Sequence, residues 1–464
     1  MTQKIALLLC MSFLSLACLA EQNPSDNPLE PQPWALGTQN IPKAPVPNST
    51  LPRQAATTVS ARLDIKDAEA TAIKNNPAIS VAWLNALASQ QVTREVKSSL
   101  WPTSSVDVTG VDAYNNSRIS AGGLNNPIIF PRAAVGATVG QLITDFGHTT
   151  NLVASARLRA EAEAQNSLAT KEQVLLAVDQ AFYGALAAQA VLKVAQETVS
   201  SRQLLTDQVS ALTKSKLKSD LDLSFANVNL AQAKLLQLDA ENNEQAAMAS
   251  LSAILGYPTL QNITLLEDTE PLTAPPTDPD GLIVEAFSKR PEILALEFES
   301  QSVEKLHAAD RDQYFPTISA LAAVGGAPVR DDRLSATYGA VGVNIQIPVF
   351  NGFLFNARTQ EAELRSQAAK QQILDLRNRI SRDVRTSWLN AKTSYERLGV
   401  SRQLLDEANR ALDLAQTRYN LGLSSIVELS QGQLQQTQAE IGSAQADYEY
   451  RLALSVLRYQ TSGL

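Results

Sequence analysis

The hydrophobic pattern of this chain changes period in the same order twice. From Pro77 about two dozen residues run with helical spacing to Leu100, and from Pro291 a matching stretch runs to Tyr314. Each opens on a proline, whose missing N–H costs nothing in the first turn of a helix. The period then drops to two. Val135, Ala137 and Val139 alternate with Gly136, Thr138 and Gly140, and Val341, Val343, Ile345 and Ile347 alternate with Gly342, Asn344 and Gln346. Such alternation predicts strands with one apolar face and one small or polar face. Two strand pairs are expected, about 103–114 with 131–145 and about 317–326 with 335–349, joined by Gly/Asn/Pro/Asp-rich loops. Very long helical segments follow, about 149–217 and 354–419, with no internal proline, and then second long helices, about 221–255 and 426–459. In the second half Leu364, Ala368, Leu376, Ile380, Val384, Trp388 and Ala391 make a narrow stripe of modest side chains, as in a coiled coil.

Self-similarity at the level of letters accompanies this grammar. Asn76-Pro77-Ala78-Ile79 is answered by Arg290-Pro291-Glu292-Ile293, and Trp101-Pro102-Thr103 by Phe315-Pro316-Thr317, with the two prolines equally spaced in each half. Asp145-Phe146-Gly147 is answered by Phe350-Asn351-Gly352, and Ser201-Arg202-Gln203-Leu204-Leu205 recurs unchanged as Ser401-Arg402-Gln403-Leu404-Leu405. A collinear series of this kind predicts a duplicated strand-strand-helix-helix unit. The boundaries drawn from it are a first repeat at 62–257, with a hairpin about 103–145 and long helices about 149–255, an inter-repeat linker at 258–277, and a second repeat at 278–464, with a hairpin about 317–349 and long helices about 354–459.

The start of the chain fixes an expected compartment. Lys4 is followed by an apolar run at 5–16 too short to span a bilayer, and Cys18-Leu19-Ala20 ends in small side chains, so 1–20 reads as a secretory signal peptide. Cys18 is alternatively a lipidation site, although Ser15 stands where such motifs prefer Leu. Both cysteines, Cys10 and Cys18, fall in this segment, which leaves no disulfide or thiol chemistry after cleavage at Ala20. Prolines crowd 21–61 and predict an extended N-terminal segment.

Composition narrows the function. A net charge of −8 without a basic block excludes a nucleic-acid footprint. Two histidines and three methionines give no metal cluster; His148 and His307 stand apart and read as structural or exposed. No nucleophile with a base and no glycine-rich phosphate loop is present, so neither an enzyme nor a cofactor is expected. Four strands of about ten residues suffice to cross an outer membrane, yet an open sheet edge is not tolerated in lipid. Closure by other copies is then required, and because eight-stranded barrels are filled by their own side chains, an open conduit calls for at least three chains. Gly342, Asn344 and Gln346 would line its lumen.

With Asn75-Asn76-Pro77, the corners at Asp145-Phe146-Gly147 and Val349-Phe350-Asn351-Gly352, and Arg418-Tyr419-Asn420-Leu421-Gly422 in this order, the chain from about Leu63 to Tyr459 resembles the TolC-type outer-membrane efflux proteins. The resemblance implies a mainly α homotrimer, in which a twelve-stranded β-barrel in outer-membrane lipid continues as a periplasmic helical tunnel. It also implies an exit duct joined to an inner-membrane pump through a periplasmic adaptor protein, in an efflux or type I secretion system. The family's gate lies at the two helix turns; counting from Gly422, the acidic gate position is Glu428, its first-half counterpart is Asp222, and the gate tyrosine is Tyr419. In three chains Glu428 would form a carboxylate ring. This chain departs from the pattern with Gln431 at the second acidic position and Ser424 at the basic locking position, which predicts weaker cation block and a looser closed state. Asp222 and Glu428 also suit a helix N-terminus as ordinary first-turn acids. Lys214, Lys216 and Lys218 make a basic turn in the first half only, by default a solvated one, with adaptor contact as the sharper alternative. The rival reading is a periplasmic coiled-coil adaptor or spacer without a barrel.

Overall fold

The computed structural model describes residues 61–112, 114, 131–259, 261, 263–267, 271–330 and 335–461. The signal peptide, Cys18 and nearly all of the proline-rich segment lie outside the described residues. The first half runs β1 (Ala61–Leu63), α1 (Ile65–Asn75), α2 (Pro77–Ser98), β2 (Thr103–Val111), β3 (Arg132–Thr144), α3 (His148–Lys214) and α4 (Asp220–Ile254). After β4 (Ile263–Leu265) come α5 (Pro279–Lys289), α6 (Pro291–Asp312), β5 (Thr317–Val329), β6 (Thr337–Gln346), α7 (Leu354–Asn420) and α8 (Ile426–Thr461). The chain is mainly helical, and α3 and α7, of 67 residues each, span about 100 Å at 1.5 Å per residue.

Strands β2, β3, β5 and β6 form one antiparallel sheet in that order, leaving β2 and β6 as its edges. The central pairing, β3 with β5, joins the two halves. Register places Val106, Val108, Val135, Val139, Ala322, Val324, Val341, Val343 and Ile345 on one face. The opposite face carries Ser105, Asp107, Thr138, Ser319, Asn344 and Gln346 among glycines and alanines, with Leu321 and Tyr338 among its large side chains. The aliphatic face is open in the single chain; Val108 is 81% and Val341 87% exposed. Strand β6 ends at Gln346, short of the expected 349, and Pro348 just beyond has no N–H for a ladder. Strand β5 runs to Val329, three residues past the expected end. The short β4 pairs in parallel with β1, so the stretch expected to be a plain linker, 258–277, holds a strand that clasps the start of the described chain.

Each strand-to-helix corner uses a pair of left-handed residues, Phe146 with Gly147 and Gly352 with Phe353. At the first, the buried Asp145 carboxylate accepts from Gly147 N–H at 3.3 Å, Thr149 N–H at 2.8 Å and the Thr149 hydroxyl. It thereby satisfies donors that a helix start leaves orphaned. The added Cβ of any other residue at Gly147 would sit 2.7 Å from an Asp312 carboxylate oxygen, itself held by Asn151 at 2.8 Å. Asn76 caps α2 at Ala78 N–H and reaches across to the Ile254 carbonyl at 2.8 Å, tying α2 to the end of α4.

The principal core lies where α1, α3, α4 and the β1–β4 pair meet: Ala68, Ala72, Val178, Phe182, Ala185, Leu186, Leu251 and Leu255. This core accounts for the apolarity of α3, which by composition alone could cross a membrane. A second cluster joins Ile283, Ala286 and Ile293 to Ile380 and Val384 of α7. The expected α7 seam is buried at Ile380, Val384 and Ala391, but Leu364 and Ala368 point outward, and Ala362, Ser366 and Ala369 are buried in their stead.

Candidate functional site

The turns at the far ends of the helical hairpins are built alike. At the end of α3, Lys216 N–H donates to the Thr213 carbonyl and Leu217 N–H to the Leu212 carbonyl, each at 2.9 Å. At the end of α7, Gly422 N–H donates to Tyr419 at 3.1 Å and Leu423 N–H to Arg418 at 2.8 Å. Both are Schellman closures, whose left-handed residue is ideally glycine. Gly422 meets that demand with φ 73°, whereas Lys216 occupies the same conformation with φ 61°. Lys216→Gly is therefore expected to stabilise the turn by ~1 kcal/mol, with Gly422→Ala destabilising its own turn by about as much. Thermal unfolding midpoints of the two variants, moving in opposite directions, would establish the cost.

Two residues past each closure a serine caps the returning helix. Ser219 accepts from Asp222 N–H at 3.1 Å, while Asp222 Oδ2 accepts from Ser219 N–H at 3.1 Å and from its hydroxyl at 2.8 Å. The Asp222 carboxylate is thus committed to a capping box. Ser425 plays the same part for Glu428 N–H at 3.4 Å, but the Glu428 side chain does not return to its cap. It pairs with Arg418 Nε across the turn at 3.0 Å, both partners about half exposed.

Tyr419 is 3% exposed, packed with Leu205, Val209, Ala226, Ile426 and Leu429 in the cluster that binds the two hairpins together at this end. Lys218 reaches over from the first turn; its Nζ lies 3.8 Å from the centre of the Tyr419 ring and 3.4 Å from the Tyr419 carbonyl. Burial, and secondarily the Asp222 carboxylate, hold the Tyr419 phenol above its ordinary pKa, so it is neutral here. Ser424 Oγ is buried without a hydrogen-bond partner among the described residues.

The structure therefore leaves the buried Tyr419 hydroxyl without a hydrogen-bond partner among the described residues, keeps Asp222 in its cap and sets Glu428 against Arg418. Two cations that the sequence pattern did not assign to the site, Lys218 and Arg418, hold the contacts. Lys218 was legible in principle, since it precedes the Ser219 cap as Ser424 precedes Ser425. Lys214 and Lys216 make no comparable bridge among the contacts of this turn. Further up, Arg202 of α3 is buried and donates to the Gln433 carbonyl at 3.0 Å and Thr437 Oγ1 at 3.2 Å, binding α3 to α8. It floors a 390 Å³ groove between α4 and α8, bridged by Asn229 and Ser430 at 2.7 Å. His148 bonds the Ala309 carbonyl at 2.8 Å, and no cluster of three metal-ligating side chains occurs among the described residues.

A sheet with one aliphatic face, continued by helical hairpins about 100 Å long whose turns carry charge, is the architecture of an outer-membrane channel. Solved channels share it: the crystal structure of CusC superposes with a TM-score of 0.75 over 92% of this chain and 99% of that one, at 18% identity. The outer membrane efflux protein model matches residues 70–257 and 282–461, and the chain belongs to this family of outer-membrane transport proteins. Among curated relatives, it is 22% identical over 271 residues to the outer membrane protein TolC of Escherichia coli K12, covering 55% of this chain and 54% of TolC. It is 24% identical over 325 residues to the cation efflux system protein CusC of the same strain, covering 63% of this chain and 66% of CusC. The matched stretches thus span about half to two thirds of these relatives' lengths. Family membership sets aside the periplasmic spacer without a barrel.

Proposed function

We propose that three copies of this chain close into a twelve-stranded barrel continued by a periplasmic helical tube. It serves as the exit duct for an inner-membrane transporter, reached through a periplasmic adaptor protein, in an efflux pump or a type I secretion system. The observation that carries this is the four-stranded sheet with two unpaired edges and an exposed valine and isoleucine face. In water that face is a large unpartnered apolar patch, and in lipid the edges demand partners. A second stripe supports assembly along the tube: Leu364, Leu374, Leu389, Val400, Leu404 and Leu414 of α7 lie on one helix face, all at least half exposed in the single chain. Light scattering and negative-stain imaging of the detergent-extracted particle are expected to give three chains in a long, hollow-ended body. A soluble monomer needing no detergent would overturn the reading.

In this duct the hairpin turns are the periplasmic gate, with Glu428, Asp222 and Tyr419 as its residues. Three Glu428 carboxylates ring the mouth, each neutralised at rest by its own Arg418. Removing Arg418 is expected to free the ring, and Arg418→Gln to raise cation over anion preference, read as a shift in reversal potential across a salt gradient. Adding Glu428→Gln should abolish that gain; a preference that persists in the double variant would exclude the ring.

A further inference from the structure

One transverse row of the sheet is unlike the rest. Register pairs Asp107 with Gly136, Gly136 with Gly325, and Gly325 with Tyr338, so these four residues cross all four strands on the polar face. Tyr338 is the single aromatic residue in the four strands and stands one residue from the start of β6, beside the β5–β6 loop. Its ring lies down over both glycines. A Cβ at Gly136 would come within 2.1 Å of the Tyr338 hydroxyl oxygen, and one at Gly325 within 2.4 Å of the ring. Both distances are far inside contact range, so no side chain fits under the ring. Neither glycine has a positive φ, and turn geometry therefore does not explain them. Glycine weakens a strand by entropy and lost packing, and its presence at two adjacent positions calls for a close neighbour; at Gly136 that neighbour is the phenol, and at Gly325 it is the phenol together with the Val135 carbonyl oxygen, 2.6 Å from the added Cβ.

We propose that Gly136 and Gly325 form a trough that holds Tyr338 flat against the inner wall, and that this recess sets the bore of the barrel near its outer mouth. The inference rests on the reading that the polar face lines the lumen of a trimer. Threefold symmetry puts three phenols at one height. With the trough filled, all three tip inward together, and the lumen narrows at their height. Tyr338 is in this sense a bore-determining residue, acting by where the glycines let it lie.

One-sided polymer exclusion in planar bilayers tests this without interference from the periplasmic gate, because polyethylene glycols added on the outer side probe that mouth alone. Gly136→Val is expected to lower the largest polymer mass that enters by about twofold or more. Gly136→Val with Tyr338→Ala should restore the wild-type cut-off, and Tyr338→Ala alone should leave it unchanged or slightly raise it. A cut-off unmoved by Gly136→Val, or lowered equally in the double variant, would overturn the trough. Should Gly136→Val fail to assemble, recovery of trimers in the double variant supports the steric conflict and no recovery overturns it. A wild-type chain that forms neither trimers nor channels would instead remove the duct reading.

Discussion

Replacing Lys218 and Arg418 together by methionine is expected to raise the open probability of the reconstituted channel by about two orders of magnitude. Lys218 sits on the Tyr419 ring and Arg418 on Glu428, so one cation joins the two hairpin turns and the other braces the second. The Lys218 contact is worth ~1 kcal/mol, since its ammonium lies over an aromatic face beside a buried edge. The half-exposed Arg418 pair adds at most a few tenths. If the proposed trimer opens in concert, these sum to ~3 kcal/mol over its three protomers, and each 1.4 kcal/mol is a factor of ten. Lys214→Met removes a charge from the same turn outside this contact and should leave gating as it was. Single-channel recording decides the matter: a double variant as closed as the parent would show that the cations do not hold the gate.

The second large effect concerns pH. Glu69 of α1 faces Asp179 of α3, with Ser455 and Arg458 of α8 and Lys66 nearby, and burial and then the Asp179 charge push Glu69 from 4.5 up to about 7. Asp179 is 3% exposed and is also raised, chiefly by burial, with one carboxylate oxygen unpartnered among the described residues. Glu172 is raised to about 7 as well, by burial and then by Glu292. For an acid whose folded pKa lies above its unfolded one, the folded state binds the proton more tightly. Stability is then greatest below about 4.5, falls as pH rises toward 7, and is level above. Asp179→Asn keeps a hydrogen-bonding group while removing the repulsion. It is expected to gain about 1 kcal/mol at pH 8, after discounting for the solvent that reaches Glu69, and nothing at pH 4. The residual slope belongs to the burial of Glu69 itself and to Glu172, and Glu172→Gln should reduce it further. Unfolding midpoints from pH 4 to 8 that rise with pH would contradict this account.

The elements, their order and both hairpin turns were legible, because each follows from local rules: prolines at helix starts, alternation in strands, Gly422 at a helix end. What escaped notice lies between segments distant in sequence. The pentad Ser-Arg-Gln-Leu-Leu shows why. Arg202 is buried against α8 and bonds a backbone carbonyl, whereas Arg402, in the same five letters, is well exposed and pairs with Asp447 at 3.1 Å. Identical sequence meets opposite surroundings because α8 covers α3 there, and no local pattern encodes that cover. The same holds for Lys218 on Tyr419, some 200 residues apart. The α7 stripe is buried at Ile380, Val384 and Ala391 but not at Leu364 for a related reason: a helix with apolar residues on two faces does not declare which face packs within its own chain.

The pairing of β3 with β5 has a consequence for biogenesis. About 190 residues separate Val135 from its partner Gly326. At ~5–20 residues per second the first strand pair waits ~10–40 s for the second to emerge, its valines bare throughout. Closing so long a loop slows folding far more than it costs stability. The sheet is therefore completed only late, and until then the aliphatic face of the first strand pair stands without the central partner that the finished sheet gives it.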